Sequence, residues 1–220
     1  LFARSKNPKY EEAVDMYRRL LSKADDGSVV VVTVGFSTTI AQLLESQPDK
    51  YSKLTGRELV AKKVKYFSAM AGEFTIPEFA EYNVFNDLEA ARTLFETSPV
   101  PIVFTPWQIG EQVQYPGASI EKDFEWGEPH PMVEAYKHYQ QMPYDRPTWD
   151  VIAAYYACHP DAGCFTNSQT GDVKVVGKGV TLFTPNKLGT CRYMTATPAQ
   201  RQQILDYFHK VLTTRPKRMK

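Results

Sequence analysis

Two short stretches of the chain combine carboxylate, amide and aromatic side chains in patterns that could bind a sugar or a flat ligand. The first is Glu81-Tyr82-Asn83, which places a carboxylate and an amide two residues apart. In an extended segment both side chains point to the same side, where they can hold vicinal sugar hydroxyls with donors and acceptors. The alternative is a loop that only caps the helix that follows Asn86.

The second stretch is Arg146-Pro-Thr-Trp-Asp150. Pro147 is suited to the first turn of a helix, so Trp149 and Asp150 are expected at a helix start. Asp150 is either a functional carboxylate or a first-turn acid favoured by the helix dipole. Trp149 either packs against residues 105–128 or stacks on a flat ligand.

Well-known catalytic and cofactor signatures are absent from the sequence: it has no GxSxG, P-loop, GxGxxG or HExxH motif. The histidines have no Asp or Ser pattern around them. The cysteines are odd in number and lack CxxC spacing, which argues against a disulfide framework or a zinc site and favours small buried thiols. These residues are His130, His138, His159, His209, Cys158, Cys164 and Cys191.

Helical and strand-like hydrophobic patterns alternate along the chain. The alternation predicts an α/β domain, a mostly parallel open sheet flanked by helices and Rossmann-like, with a small antiparallel region near the C-terminus. Residues 1–220 are expected to form this single domain. The predicted helices are 10–23, one capped by Ser37 or Thr38, 56–63, 88–96, 131–141, 146–158 and 198–212; the predicted strands are 28–34, 64–70, 99–104, 173–178, 180–183 and 192–196. Residues 105–128 are predicted to be irregular, as functional lids often are.

Composition excludes several classes of protein. With 220 residues, 43% apolar and 23% charged, the chain is globular rather than disordered. No apolar run approaches the roughly 20 residues that span a bilayer, and a net charge of +1 argues against a nucleic-acid binder. Residues 71–130 carry 11 acidic and 2 basic side chains, which either gather a cation or sugar hydroxyls or form solvated surfaces.

The chain begins at Leu1 without an initiator Met or a signal segment. We therefore expect a fragment or a processed form, with a cytoplasmic location as the default and export of the full-length protein as the open alternative.

Four segments, in this order, resemble the inosine-uridine-preferring nucleoside hydrolase family. They are Thr33-Val-Gly-Phe-Ser-Thr-Thr-Ile-Ala41, Met70-Ala-Gly leading to Ala80-Glu-Tyr-Asn-Val-Phe-Asn-Asp-Leu-Glu-Ala-Ala91, Val100-Pro-Ile-Val-Phe104, and Trp149-Asp150. The family's stretches read approximately GPLTNIA, MGG followed by AExNxxxDPEAA, VPI, and a His-Asp or Trp-Asp pair. The similarity extends over about residues 10–200, and the AExN…DxEAA block is its specific part.

The resemblance implies hydrolysis of the N-glycosidic bond of ribonucleosides, with a calcium ion at the bottom of the pocket. Thr38 would offer its carbonyl and Asp150 its carboxylate to the calcium, Glu81 and Asn83 would hold ribose hydroxyls, and Trp149 would stack on the base, which suggests a purine. Together with the rule that ligands bind beyond the carboxyl ends of parallel strands, the resemblance predicts that these five residues converge on one pocket. The expected partner is a small ribonucleoside, with no nucleic acid or membrane, and the family implies a possible homo-oligomer.

The chain departs from the family pattern in three places. The N-terminal DxDxxxDD motif, which supplies most calcium ligands and the catalytic base, is absent, Thr39 stands where Asn is usual, and no Asn lies between Gly72 and Glu81. We therefore expect the metal-binding first strand to lie outside the sequence, and calcium binding by this chain to be weak or absent. The alternatives are a non-catalytic nucleoside- or sugar-binding protein on the same fold, and an interaction domain that uses residues 105–128.

Overall fold

A central sheet organises the chain, and helices cover both of its faces. The computed structural model describes residues 10–124 and 129–215. The strands are β1 (Val29–Thr33), β2 (Val64–Ala69), β3 (Ile102–Phe104), β4 (Gln114–Tyr115), β5 (Arg146–Pro147), β6 (Thr166–Asn167), β7 (Gly171–Val176), β8 (Val180–Pro185) and β9 (Cys191–Thr195). The helices are α1 (Ala13–Lys23), α2 (Thr38–Glu45), α3 (Gly56–Lys63), α4 (Tyr82–Phe85), α5 (Leu88–Thr97), α6 (Trp107–Gln112), α7 (Gly117–Lys122), α8 (Pro131–Tyr139), α9 (Trp149–Cys158) and α10 (Pro198–Thr213).

The main sheet has seven strands in the order β1-β2-β3-β9-β7-β8, with β6 beside β9. The four neighbouring strands β1, β2, β3 and β9 pair in parallel. The pairs β6–β9, β7–β8 and β7–β9 are antiparallel. This arrangement confirms the predicted α/β class and its small antiparallel region. Within that region the strands do not pair in chain order, because β9 does not pair with β8 but lies between β7 and β3.

Two hydrophobic cores lie on opposite faces of the sheet. One contains residues of α1, α2, α3 and α5 packed on the sheet, and the other contains residues of α6, α7, α9 and α10. Adjacent strand residues point to opposite faces, so Ile102 belongs to the first core and its neighbour Val103 to the second. The sheet is therefore covered on both sides, as its continuous apolar strands predict.

Three local predictions are corrected by the structure. Residues 82–85 form a helical turn instead of an extended segment. The helix expected from Arg146 begins at Trp149, because Arg146–Pro147 pairs with β4 and Thr148 is the N-cap. The segment 105–128 contains α6, β4 and α7 up to Lys122; Trp126 and the last basic residues, 216–220, lie outside the described residues.

Strand β1 forms one edge of the sheet. Its sequence is Val-Val-Val-Val-Thr, and its outer edge pairs with no strand among residues 10–124 and 129–215. Val34 and Phe36, which follow β1, are exposed. Most edge strands carry charges, prolines or bulges that block pairing with another chain, and β1 has neither a charge nor a proline. No helix in the described part of the chain is long and apolar enough to cross a membrane.

Candidate functional site

The predicted site residues lie around the carboxyl ends of β1 and β2. Thr38 begins α2 shortly after β1, and Glu81 and Asn83 belong to the turn α4 that follows β2. Trp149 and Asp150 form the first turn of α9. Three distant parts of the chain therefore contribute to this edge of the sheet.

The direction of α9 explains why its first turn lies at this edge. The Ser68 hydroxyl, near the end of β2, donates a hydrogen bond of 2.8 Å to the carbonyl of Ala153. One helical turn later, the Tyr156 ring meets the Tyr66 ring, nearer the start of β2, at a centroid distance of 6.1 Å. Helix α9 thus runs antiparallel to β2, and its N-terminus lies near the carboxyl end of the strand.

Glu81 is buried, with 1% of its surface exposed. Its carboxylate accepts hydrogen bonds from the backbone N–H groups of Gly72 (3.1 Å), Asn83 (3.0 Å) and Val84 (3.3 Å). Gly72 has a φ of 77°, a conformation that favours glycine, and an added Cβ would lie 3.0 Å from the Thr181 hydroxyl. The N-cap bonds to Asn83 and Val84 fold residues 82–85 into α4, which is why the extended geometry is not formed.

Electrostatics connects Glu81 to Asp150. Burial raises the pKa of Glu81, the three backbone N–H bonds oppose that rise, and the negative charge of Asp150 adds to it. Asp150 is exposed, yet desolvation by the surrounding protein also raises the pKa of its carboxyl. Two carboxyl groups that are 69 positions apart in the sequence are therefore close enough to interact.

Asn83 presents one free acceptor at the site. Its Nδ2 donates to the carbonyl and to the sulfur of Met70, each at 3.1 Å. These bonds hold the amide against the end of β2 and leave its Oδ1 without a hydrogen-bond donor among the described residues. An oriented amide oxygen of this kind can accept a hydrogen bond from a ligand hydroxyl.

Thr38 is tied to the start of another helix. Its hydroxyl donates a short hydrogen bond to Oδ2 of Asp87, and Oδ1 of Asp87 accepts from the backbone N–H of Ala90 as the N-cap of α5. The bond joins the first turns of α2 and α5. No hydrogen bond between described residues links Thr38 directly to Asp150 or Asn83.

The side chain of Trp149 packs on α6. This helix belongs to residues 105–128, and packing against them is one of the two roles that the sequence analysis predicts for Trp149. Its indole N–H donates to the carbonyl of Trp107 at 3.0 Å. A Cβ added to Gly110 would lie 2.0 Å from the indole ring, so only glycine allows this close approach. The indole is half-buried and is held in one orientation.

Glu73 positions helix α6, on which Trp149 packs. The sequence patterns did not single out this buried carboxylate. Glu73 is 1% exposed, and its Oε1 accepts from the Thr75 N–H and hydroxyl, both at 2.6 Å, and from the Ile76 N–H at 3.2 Å. Its second oxygen accepts from the Gln108 N–H at 2.9 Å, at the N-terminus of α6. No motif distinguishes Glu73 from a surface glutamate, because its partners are brought to it only by the fold.

Two exposed aromatic side chains also lie beside the site. Phe36, 46% exposed, comes just before α2, and Tyr82, 68% exposed, lies between Glu81 and Asn83. Their ring centroids are 6.0 Å apart. Exposed aromatic pairs of this kind can contact an apolar or planar ligand. Their alternation with polar residues could have marked them in the sequence.

The described residues do not by themselves complete a metal site. In residues 10–124 and 129–215, no group of three or more His, Cys, Asp or Glu side chains could hold a metal ion. Calcium takes six to eight oxygen ligands, and the three backbone bonds of Glu81 occupy most of its carboxylate. Residues 10–124 and 129–215 therefore lack a full ligand set for calcium.

The fold and the site together define an α/β protein with buried and oriented polar side chains at the carboxyl edge of its parallel strands, where ligands bind in open α/β sheets. The sequence pattern of the inosine-uridine preferring nucleoside hydrolase family matches residues 2–206. The chain belongs to that family.

Similar proteins agree with this assignment. The pyrimidine-specific ribonucleoside hydrolase RihA of Salmonella paratyphi B is 31% identical over 123 residues, which is 56% of this chain and 36% of that protein. The solved plant nucleoside hydrolase PpNRh1 superposes with a TM-score of 0.70 and 21% identity, covering 96% of this chain and 70% of its own. A purine-preferring ribonucleoside hydrolase from Gardnerella vaginalis gives a TM-score of 0.70 and 19% identity, covering 94% and 67%. The matched part of the chain thus spans about a third of the length of its curated relatives.

Proposed function

We propose that this chain is part of an enzyme that hydrolyses the N-glycosidic bond of ribonucleosides to ribose and free base. The observation that carries the proposal is the arrangement of Glu81, Asn83 and Asp150 at one edge of the sheet in a member of this family. A nucleoside is the small-molecule partner. Hydrolysis passes through an oxocarbenium-like transition state, which oriented oxygen acceptors near the ribose can stabilise.

Each predicted residue has a role in this proposal. The Oδ1 of Asn83 accepts from a ribose hydroxyl, and Glu81 offers the part of its carboxylate that the backbone leaves free. Trp149 stacks on the base with the face that α6 does not cover, which favours protonation of a purine as it departs. The names of the similar proteins include both pyrimidine-specific and purine-preferring hydrolases, so the purine preference is supported only by the Trp149 side chain.

Calcium, which the family resemblance implies, is proposed for the complete protein. Thr38, through its carbonyl, and Asp150 would be the ligands from this chain, and a bound calcium would lower the pKa of a water molecule. Two ligands are too few for a calcium ion, which takes six to eight oxygens. The remaining acidic ligands are therefore proposed to come from outside the 220 residues. A strand that pairs with the free edge of β1 would bring them beside Thr38.

A paired substitution tests the substrate site. Asn83→Ala removes the acceptor. Asn86→Ala is the control, because the amide of Asn86, at the end of α4, bonds only the carbonyl of Tyr82. In the complete protein, we expect Asn83→Ala to lower kcat/KM for inosine and uridine by about 10²-fold, the value of a lost hydrogen bond to a charged transition state. Asn86→Ala should change kcat/KM less than threefold.

The alternative, a non-catalytic binding protein on the same fold, makes a different prediction. It would bind nucleosides in calorimetry, and Asn83→Ala would weaken that binding, but no ribose would be released. Equal effects of the Asn83 and Asn86 variants would contradict the proposed ribose site in either type of protein. A homo-oligomeric state remains a prediction that sedimentation can test.

A further inference from the structure

A cavity lies near the start of β2 and β3, away from the candidate site. It has a volume of about 380 Å³, which is within the range of small-molecule sites. Tyr66 of β2, Val103 of β3 and Arg192 of β9 line it, together with Tyr156 of α9. The proposed hydrolase mechanism uses none of these residues.

The strand register explains how these residues meet. Val103 is the parallel partner of both Ser68 and Arg192, and partners in adjacent strands point to the same face of a sheet. Ser68 faces α9, since its hydroxyl bonds the carbonyl of Ala153. Arg192 and Tyr66, which is two residues before Ser68, therefore face α9 as well, and the cavity lies between α9 and the sheet.

The Tyr66 hydroxyl lacks a partner. It is buried and forms no hydrogen bond with any described residue. Buried polar groups are nearly always paired with protein, water or a ligand. Burial raises the pKa of Tyr66, so the hydroxyl stays protonated at neutral pH and is available as a donor.

Two cations at the same cavity are also unpaired. Lys65 and Arg192 line it and are exposed, and neither forms an ion pair or a side-chain hydrogen bond within the described part of the chain. The hydroxyl residues Thr170 and Thr190 lie beside them. Two positive charges match a doubly charged anion better than they match a singly charged carboxylate. Arg in particular suits the oxygens of a phosphate.

We propose that this cavity binds a small phosphomonoester that carries a planar apolar group. Lys65 and Arg192 hold the phosphate, the Tyr66 hydroxyl donates to one of its oxygens, and the planar group lies against Val103 and Tyr156. The proposal does not depend on the proposed hydrolase activity, because it uses the opposite end of the strands.

Calorimetry on the 220-residue chain at low ionic strength tests the ligand class. Phenyl phosphate is the probe, and inorganic phosphate and benzoate supply its two halves separately. For a ligand of this size we expect phenyl phosphate to bind with a Kd on the order of 0.1–1 mM, and both comparison ligands to bind at least about fivefold more weakly. The absence of saturable binding, or equal affinity for inorganic phosphate or benzoate, would overturn the proposal.

Three variants test the residues. Arg192→Gln should weaken binding of phenyl phosphate at least about 10-fold and Tyr66→Phe about 3- to 10-fold, as expected for charged and neutral hydrogen bonds. Arg201→Gln on α10, outside the cavity, should change affinity less than twofold. Since the Tyr66 hydroxyl is unpaired without ligand, Tyr66→Phe should melt at the same temperature as the wild type or higher. A lower melting temperature of Tyr66→Phe would contradict the assignment. A loss of affinity in Arg201→Gln equal to that in Arg192→Gln would also contradict it.

Discussion

At the scale of single residues, Glu81 combines a structural role with a proposed functional one. Its carboxylate has about four acceptor positions, and the backbone N–H groups of Gly72, Asn83 and Val84 use three of them. These bonds form α4 and orient Asn83 while leaving room for one ligand hydroxyl. The proposed ribose site is therefore preorganised by the same bonds that fold the local chain.

The pH dependence of stability tests the burial of Glu81. Its pKa is raised above the ordinary 4.5, so between 4.5 and the raised value the folded state binds more protons than the unfolded state. The free energy of unfolding should therefore fall as pH rises through that window. Glu81→Gln should remove this decrease in urea unfolding measured from pH 4 to 8. An unchanged slope in the variant would show that Glu81 ionises as it does in the unfolded chain.

Trp149 is predicted to help the base depart in the complete protein. Trp149→Ala should lower kcat for inosine about 10- to 150-fold, or roughly 1.5–3 kcal/mol, but should change turnover of p-nitrophenyl riboside little, because that leaving group departs without protonation. Trp149→Phe keeps an aromatic face and loses the bond to the Trp107 carbonyl, so it separates stacking from anchoring. If Trp149→Ala lowers turnover of both substrates equally and also lowers the melting temperature, Trp149 only packs on α6 and has no role in departure of the base.

At the scale of elements, the bond between Thr38 and Asp87 joins two helix starts. Asp87→Ala removes both this bond and the N-cap of α5 and should cost about 1–2 kcal/mol of stability, whereas Thr38→Val removes only the bond between the helices and should cost about 1 kcal/mol or less. Urea unfolding of both single variants and the double variant measures the coupling. Strictly additive losses would mean that the two residues stabilise their helices independently.

Local patterns were sufficient to predict most helices and strands. Helix α3 has the predicted bounds 56–63, because its hydrophobic spacing and its cap at Thr55 are both local signals. The helix α6 was missed because it is six residues long and its N-terminus is held by Glu73, 35 positions earlier. The geometry of residues 81–83 was missed because a side-chain cap overrides the extended pattern.

At the scale of the whole molecule, the order of strands could not be predicted from periodicity. A period of two identifies β9 as a strand, but its place between β3 and β7 depends on pairing with residues about 20 and 90 positions away. The carboxyl-edge location of the candidate residues was predictable because the rule for parallel sheets needs only strand direction. The contact between Phe36 and Tyr82 and the burial of Glu73 could not be predicted, because both depend on segments that are distant in the sequence.

Calcium affinity is predicted to depend on how much of the complete protein is present. With Asp150 and the Thr38 carbonyl as its only proposed ligands, the 220-residue chain should bind calcium only weakly, with a Kd on the order of 1 mM or higher. Calorimetry of the chain and of the complete protein under the same conditions measures the difference. Sub-micromolar affinity in the chain alone would mean that other acidic residues complete the site.

The most direct test of the proposed function is the product balance with inosine. The complete protein is incubated with inosine and calcium in phosphate-free buffer, and free base and reducing sugar are measured over time. We predict equimolar release of hypoxanthine and ribose, which identifies water as the nucleophile. Stable binding of inosine without release of either product, or cleavage only after phosphate is added, would contradict the proposed hydrolysis.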